Sequence, residues 1–338
     1  MSKLKSAVIG LGGVSVVHIN SLDAIGVPIT ALCDIDPSRL KSHDRGCSMF
    51  TDCKTMLSNG GFDVLHICLP HYLHAPVSIA ALKQGIHVVC EKPMATTVED
   101  ANAMIAAAGE SSAYLEIIFQ NRFNPGTQAI KTALASGELG RVQGGWLHVT
   151  WHRTNDYYTA ADWRGRLETS GGGLLINQAI HSFDLMNYLV SDSLGNPTAV
   201  VGNIANRTLP SVEIEDVADG IISYEDTKFS FYANLYHPYD APVKLQIICE
   251  KGRASLVGDV ATIEYSDGRT ETFRENESTH KLFGKDYWGY SHIRQIKSFY
   301  DYLSGEATQR VSGEESIRTQ RIINGIYKSA KLGKPVEV

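Results

Sequence analysis

The chain has 338 residues, 43% of them hydrophobic and 20% charged, with a formal net charge of −6. That length exceeds what one hydrophobic core usually serves, and the near-average composition argues against a disordered, coiled-coil or membrane protein. The negative balance, without any long Lys/Arg run, leaves no basic footprint for nucleic acid, and no stretch of about 18 apolar residues offers a membrane span.

The first apolar run, Ala7-Val8-Ile9, meets Gly10 too soon for a signal-peptide core and reads as a buried strand, so the expected location is the cytoplasm. Up to about residue 120, runs rich in β-branched residues at Ser6–Gly10, Ile29–Asp34, Val64–Leu69, His87–Cys90 and Tyr114–Phe119 alternate with helical patterns such as Pro76–Gln84 and Val98–Ala108. This alternation predicts an α/β region with a doubly wound parallel sheet. Cys33, Cys68 and Cys90 lie in those runs and read as small core residues; the six cysteines form no CxxC pair and no regular disulfide spacing.

After Asn121 the rhythm changes. A helix at Pro125–Ser136 precedes strands at Gln143–His152, Ala199–Thr208, Ala218–Tyr224, Phe229–Tyr236, Lys244–Glu250 and Ala254–Val257, with helices at Leu174–Val190 and Ile293–Leu303. Strands with few intervening helices predict an α+β domain whose large, mostly antiparallel open sheet is covered by helices on one face. The other face, bearing residues such as Trp146, Phe231 and Tyr232, is the expected surface for self-association. The expected domains are 1–121 and 122–338.

Gly10-Leu11-Gly12-Gly13-Val14-Ser15 follows a predicted strand and opens a predicted helix, the context that gives a glycine-rich turn its meaning. Gly10 permits the tight turn, Gly12 lets the backbone approach a pyrophosphate, and N–H groups at the helix start, at Gly13 and Val14, face phosphate with a favourable dipole. Ser15 stands where a third glycine is usual and is small enough for close helix–strand packing. Asp34 ends the second predicted strand, where a carboxylate accepts from adenosine ribose hydroxyls and favours NAD over NADP. Arg39 nearby leaves NADP open. The other reading of Asp34 is as a helix cap together with Asp36-Pro37-Ser38.

Glu91-Lys92-Pro93 follows a strand at the carboxyl edge of the sheet, where ligands bind in open α/β folds. Pro93 restricts Lys92 to extended conformations, through a trans or a cis bond; Lys92 then either faces a cleft or is an ordinary solvated lysine. Asn177, His181 and Asp184 are spaced i, i+4 and i+7 and share one face of a predicted helix. A histidine there either takes a proton from an alcohol or is a structural residue held by Asp184. His71/His74 and His181/Asp184 supply too few ligands for zinc, and no metal is assigned.

Together these segments resemble the Gfo/Idh/MocA family, which includes glucose-fructose oxidoreductase and inositol dehydrogenase. The resemblance rests on Gly10–Ser15, Pro70 with His74, Glu91-Lys92-Pro93, Asn121-Arg122-Phe123-Asn124-Pro125, Gly172-Gly173 leading to His181 and Asp184, and the ending Ile323–Ser329 with Gly333-Lys334-Pro335-Val336. It implies an N-terminal Rossmann domain and a C-terminal substrate-binding and oligomerisation domain. It also implies an NAD(P)-dependent oxidoreductase acting on a sugar, inositol or sugar derivative, as a homodimer or homotetramer. It places Gly10, Gly12, Gly13, Val14, Asp34, Pro70, His74, Glu91 and Lys92 at the cofactor, and Lys92 with His181 as the catalytic pair. Lys92, Arg122, Tyr158, Trp163, Arg164, Asn177, His181 and Asp184 fall at the substrate. Some members carry aspartate four residues before the histidine; Asn177 here cannot share a proton. Two other readings stay open: an NAD-dependent glycoside hydrolase assisted by transient oxidation, and a non-catalytic nucleotide- or sugar-binding regulator of the same fold.

Overall fold

A computed structural model describes residues 4–274 and 291–338. These fall into two compact units, one of 4–120 with 291–317 and the other of 121–274 with 318–338.

In the first unit the apolar runs form β1 (Ser6–Ile9), β2 (Ile29–Cys33), β3 (Ser48–Phe50), β4 (Val64–Ile67), β5 (His87–Cys90) and β6 (Leu115–Ile117). They make one sheet in the order β3-β2-β1-β4-β5-β6, and every pairing is parallel. The order reverses direction between β1 and β4, which is where an open α/β sheet offers a ligand crevice beyond its strand ends. β1 and β4 are buried throughout, as strands covered on both faces must be. Cys33, Cys68 and Cys90 are buried, and all six cysteines are free thiols.

The second domain was expected to run unbroken from 122 to 338, but the chain returns to the first unit at its far end. Helix His292–Leu303 places Ile296, Phe299 and Tyr300 in one core with Val8, Leu22, Leu32 and Val89. Polar bonds fix the return: Gln295 donates to the Glu116 carboxylate and to the Ile117 carbonyl, both at 2.7 Å, and accepts the Phe119 N–H at 2.9 Å. Glu116 also accepts the Val311 N–H at 2.9 Å.

The second unit holds a nine-stranded sheet in the order β14-β13-β12-β11-β7-β10-β9-β8-β15. Its strands are β7 (Val142–Thr150), β8 (Ala199–Ala205), β9 (Val217–Tyr224), β10 (Thr227–Asn234), β11 (Lys244–Cys249), β12 (Gly252–Val257), β13 (Val260–Tyr265), β14 (Thr270–Phe273) and β15 (Val336–Glu337). Among the described residues only β7 with β10 pairs in parallel; the other pairs of this sheet are antiparallel.

The pleat assigns side chains to faces. Leu147, Val149, Phe229 and Leu245 point inward, and Gly126 in helix Pro125–Ser136 leaves space for Ala261, which a side chain there would strike at 2.7 Å. Phe231, expected on the open face, is instead buried; it pairs with inward-facing Leu147 and meets Phe183 of helix Ile180–Leu194 edge-on at 5.1 Å. Trp146 and Tyr232 occupy the opposite face, half-buried, with Ile221, Ile248 and Val257 exposed. Among the described residues no helix is long and apolar enough to cross a membrane.

Candidate functional site

The glycine turn leaves β1 where Gly10 adopts φ +83°, and a side chain there would meet the Cys68 carbonyl oxygen at 2.5 Å. Only glycine fits both demands. At Gly12 and Gly13, by contrast, a Cβ would meet nothing within 4 Å, so the backbone faces open space where a phosphate group can approach. Val14, the N-cap of helix Ser15–Ala24, brings no side-chain cap to the helix start. Ser15 is fully buried and bonds back to the Gly12 carbonyl at 2.6 Å, so serine serves the close packing expected of a third glycine.

Asp34 accepts the Leu11 N–H at 2.7 Å and the Asp36 N–H at 2.9 Å. It therefore ties the end of β2 to the glycine turn, while Asp36 is the residue that caps the next helix through Ser38 N–H. A carboxylate has about four acceptor sites, which leaves Asp34 capacity for ribose hydroxyls. Arg39 lies 3.6 Å away and is half-exposed. These residues fit an NAD adenosine and pyrophosphate: an open backbone cradle, a helix start without a side-chain cap and an acceptor at the strand end.

On the neighbouring strand ends, the buried ring of His74 joins two loops. Nδ1 lies 2.6 Å from the Pro93 carbonyl and Nε2 lies 2.8 Å from the Leu69 carbonyl, which bind the segment before Pro70 to the Glu91-Lys92-Pro93 turn. Burial lowers the His74 pKa. The Lys92–Pro93 bond is cis, and Lys92 is half-buried.

Glu91 is the end of a buried polar chain whose members lie far apart in the sequence. Its carboxylate meets His18 Nε2 at 3.0 Å, His292 Nε2 at 3.3 Å and the Lys92 N–H at 3.2 Å. His18 Nδ1 meets His66 Nδ1 at 2.9 Å, His66 Nε2 meets the Tyr300 hydroxyl at 3.0 Å, and Tyr300 meets Ser6. Burial alone would raise the Glu91 pKa, but the hydrogen bonds from His18 and His292 hold it well below its ordinary value. Burial and the His18 ring hold His66 neutral. One ordering then satisfies every contact: Ser6 donates to Tyr300, Tyr300 to His66, His66 to His18, and His18 to the Glu91 carboxylate. Lys92 thus follows a residue fixed from three sides.

In the second unit Arg122 and Asp184 form a two-pronged ion pair, Nε to Oδ2 at 2.8 Å and Nη2 to Oδ1 at 2.7 Å, with side chains only 3% and 1% exposed. Thr319 adds a bond to Asp184 at 3.1 Å, and the guanidinium stacks on the Tyr188 ring. The structure thus brings these two expected substrate residues onto each other.

The expected helix over 174–190 is not one α-helix. Residues Leu174–Ala179 form a π-helix and the α-helix starts at Ile180, so Asn177 belongs to the first and His181 to the second; both are half-buried. The simple i, i+4, i+7 face therefore needs correction, because a π-turn carries more residues per turn than an α-turn. Tyr158, also expected at the substrate, is fully buried and donates to Gln178 of the π-turn at 3.0 Å. Half-buried Arg164 lies over the Tyr157 and Trp163 rings, 4.8 and 5.3 Å from their centroids. Asn121 is 1% exposed, and neither amide atom has a partner among the described residues. In the sequence Asn121 stands out only as the first residue of the Asn121–Pro125 motif, and no local pattern marks it as buried. Among the described residues no group of three or more His, Cys, Asp or Glu is arranged to hold a metal ion.

Comparison with known proteins identifies the family and the fold. A family model described as oxidoreductase family, NAD-binding Rossmann fold, matches residues 4–119, and the GFO/IDH/MocA C-terminal domain matches residues 127–255. The D-glucoside 3-dehydrogenase of Escherichia coli K12 is 25% identical, over 100% of this chain and 98% of that protein. The D-apiose dehydrogenase of Rhizobium rhizogenes is 24% identical over 100% and 98%. Among solved structures, the WlbA dehydrogenase from Bordetella pertussis in complex with NADH and UDP-GlcNAcA superposes with a TM-score of 0.85 at 27% identity, covering 99% of each chain. Levoglucosan dehydrogenase in complex with NADH shares the fold, with a TM-score of 0.87 at 20% identity over 100% and 99%.

Proposed function

Because this chain belongs to the Gfo/Idh/MocA family of NAD-binding oxidoreductases, we propose that it transfers a hydride between NAD and a hydroxyl or carbonyl carbon of a sugar, inositol or sugar derivative. The observation that carries this is the glycine turn, open at Gly12 and Gly13 and tied to Asp34 by the Leu11 N–H. The names of the relatives, dehydrogenases of a glucoside and of apiose, support the substrate class.

Bound NAD supplies the hydride acceptor, C4 of its nicotinamide. In the oxidising direction His181 takes the proton from the substrate hydroxyl. Lys92 donates a hydrogen bond to the same oxygen and stabilises the charge that grows on it, its backbone held by Glu91 and its loop by His74. Asn177 donates and accepts hydrogen bonds to the substrate but holds no proton to pass on. Trp163 and Arg164 orient the ligand; Arg122, Asp184 and Tyr158 act one layer behind, through the ion pair and through Gln178. The protein works as a cytoplasmic homodimer or homotetramer, associating through the sheet face of Trp146 and Tyr232; six free thiols suit a reducing compartment.

The test is fluorescence titration with NADH and NADPH, followed by a screen of sugars, inositols and sugar nucleotides at 340 nm. NADH should bind more tightly, and a member of the screen should change the absorbance. Lys92→Ala should then lower kcat by roughly 10²- to 10³-fold with NADH affinity nearly intact. Failure to bind either nucleotide overturns the whole reading, and an unchanged kcat overturns the role of Lys92.

A further inference from the structure

The opening turn of a helix leaves backbone N–H groups without partners inside the helix, and buried ones must find acceptors elsewhere. At the π-turn one residue meets three in succession. Gly173 N–H donates to Glu215 Oε2 at 2.9 Å, Leu175 N–H to Glu215 Oε1 at 2.8 Å, and Leu174 N–H to the Glu215 backbone carbonyl at 3.1 Å. The Tyr327 hydroxyl donates to Oε1 at 2.8 Å. Glu215 is 4% exposed.

The glycines before the turn serve this clamp. A side chain at Gly172 would lie 2.1 Å from the Tyr327 hydroxyl, and one at Gly173 would lie 2.5 Å from the Glu215 carbonyl oxygen. Bare backbone is what lets the carboxylate reach the amides and the phenol reach the carboxylate. The Gly171–Gly173 run is a docking surface for a cap supplied from 40 residues downstream.

We infer that Glu215, clamped by Tyr327, is a positioning residue for this site: it fixes the π-turn and with it the direction in which Asn177 and His181 leave the backbone. A π-turn closes its hydrogen bonds one residue further on than an α-turn. Reversion to α-helical bonding would shift the register by one residue, a rotation on the order of 100°. The burial of a charge at this place is otherwise unfavourable, and its donors are those of a helix start, where an anion is best stabilised.

The inference rests on the reading of His181 as the proton acceptor, so its test is made without turnover. Protein labelled at histidine is followed by NMR, with His181 assigned through His181→Gln, and backbone hydrogen exchange is measured over 171–181. Glu215→Gln turns an N–H donor toward the Gly173 N–H in place of an oxygen; it should move the His181 signal and raise exchange over 171–181 at least about tenfold, with His18 and His66 unmoved. Tyr327→Phe, which keeps the ring, should do the same to a smaller extent and decides the matter if the first variant does not fold. An unmoved His181 signal with unchanged exchange in the folded variant overturns the inference. Full turnover in His181→Ala, measured in the 340 nm assay, would instead overturn the underlying reading and leave the clamp standing.

Discussion

Replacing Asp184 by asparagine keeps the side chain's size and removes the charge opposite Arg122. The pair is bonded at 2.8 and 2.7 Å and is only 3% and 1% exposed, so the substitution takes the bidentate carboxylate partner from a buried guanidinium. Breaking a buried pair in this way costs about 3–5 kcal/mol. For a unit of roughly 200 residues each kcal/mol lowers Tm by about 2–4 °C, so the variant should melt roughly 6–20 °C below the parent. Removing both charges, in Arg122→Met with Asp184→Leu, eliminates the desolvation penalty together with the attraction and should recover most of that loss. The assay is a calorimetric melt of both proteins, with NADH titration to show that the first unit is unaffected. A single variant within about 2 °C of the parent, or a double variant no better than the single, would refute the assignment of Arg122 and Asp184 to structural support. The exposed pairs of Arg269 with Asp267 and Glu138 are the control, and their removal should leave the melt unchanged.

Other expectations follow from the same contacts. Asp34→Ala should weaken NADH binding roughly 10- to 100-fold through the loss of charged hydrogen bonds, and unaltered affinity would show that the carboxylate only braces the turn. Stability should fall with acid in two windows. His66 is held neutral, its pKa below the usual 6.5, so as pH drops below about 6.5 the unfolded chain binds a proton that the native protein refuses. Glu91, held below 4.5, adds its loss only below that pH. Urea midpoints at pH 7.5 and 5.5 read the first window, and His66→Phe should flatten the difference even though it lowers both midpoints; an undiminished difference would remove His66 from the account. Gly10→Ala places a Cβ 2.5 Å from a backbone oxygen at a positive φ, and should abolish NADH binding or folding; a soluble variant with parental affinity would contradict the close approach.

Where the chain repeats a simple period, the sequence was readable. Helix Pro125–Ser136 was placed to the residue, and the glycine turn and Asp34 stand where their spacing put them. β3 was invisible because it is three residues long with two exposed, and β14 because it is a four-residue edge strand whose first three residues, Thr270, Glu271 and Thr272, are polar and exposed. The π-turn left no trace, since Leu174, Leu175, Ile176 and Ala179 are apolar in either helix type and the group that selects the wider turn, Glu215, lies far along the chain. Amphipathicity marked His292–Leu303 as a helix but not which core its apolar face would enter. The ion pair of Arg122 with Asp184 and the histidine chain behind Glu91 are likewise products of tertiary folding, joining residues that no local rule relates.

The late return of the chain to its first unit sets a timetable for biosynthesis. The Phe119 N–H finds its acceptor in Gln295, 176 residues later. At 5–20 residues per second a ribosome takes roughly 10–35 s to cover that distance. Through that interval the nucleotide-binding sheet has emerged without Ile296, Phe299 and Tyr300, the residues that close its core. The part of the protein that is translated first is therefore finished only after β7 to β14 of the large sheet have been made, and a fragment ending at residue 121 would carry the glycine turn and Asp34 on a sheet with one side unsealed.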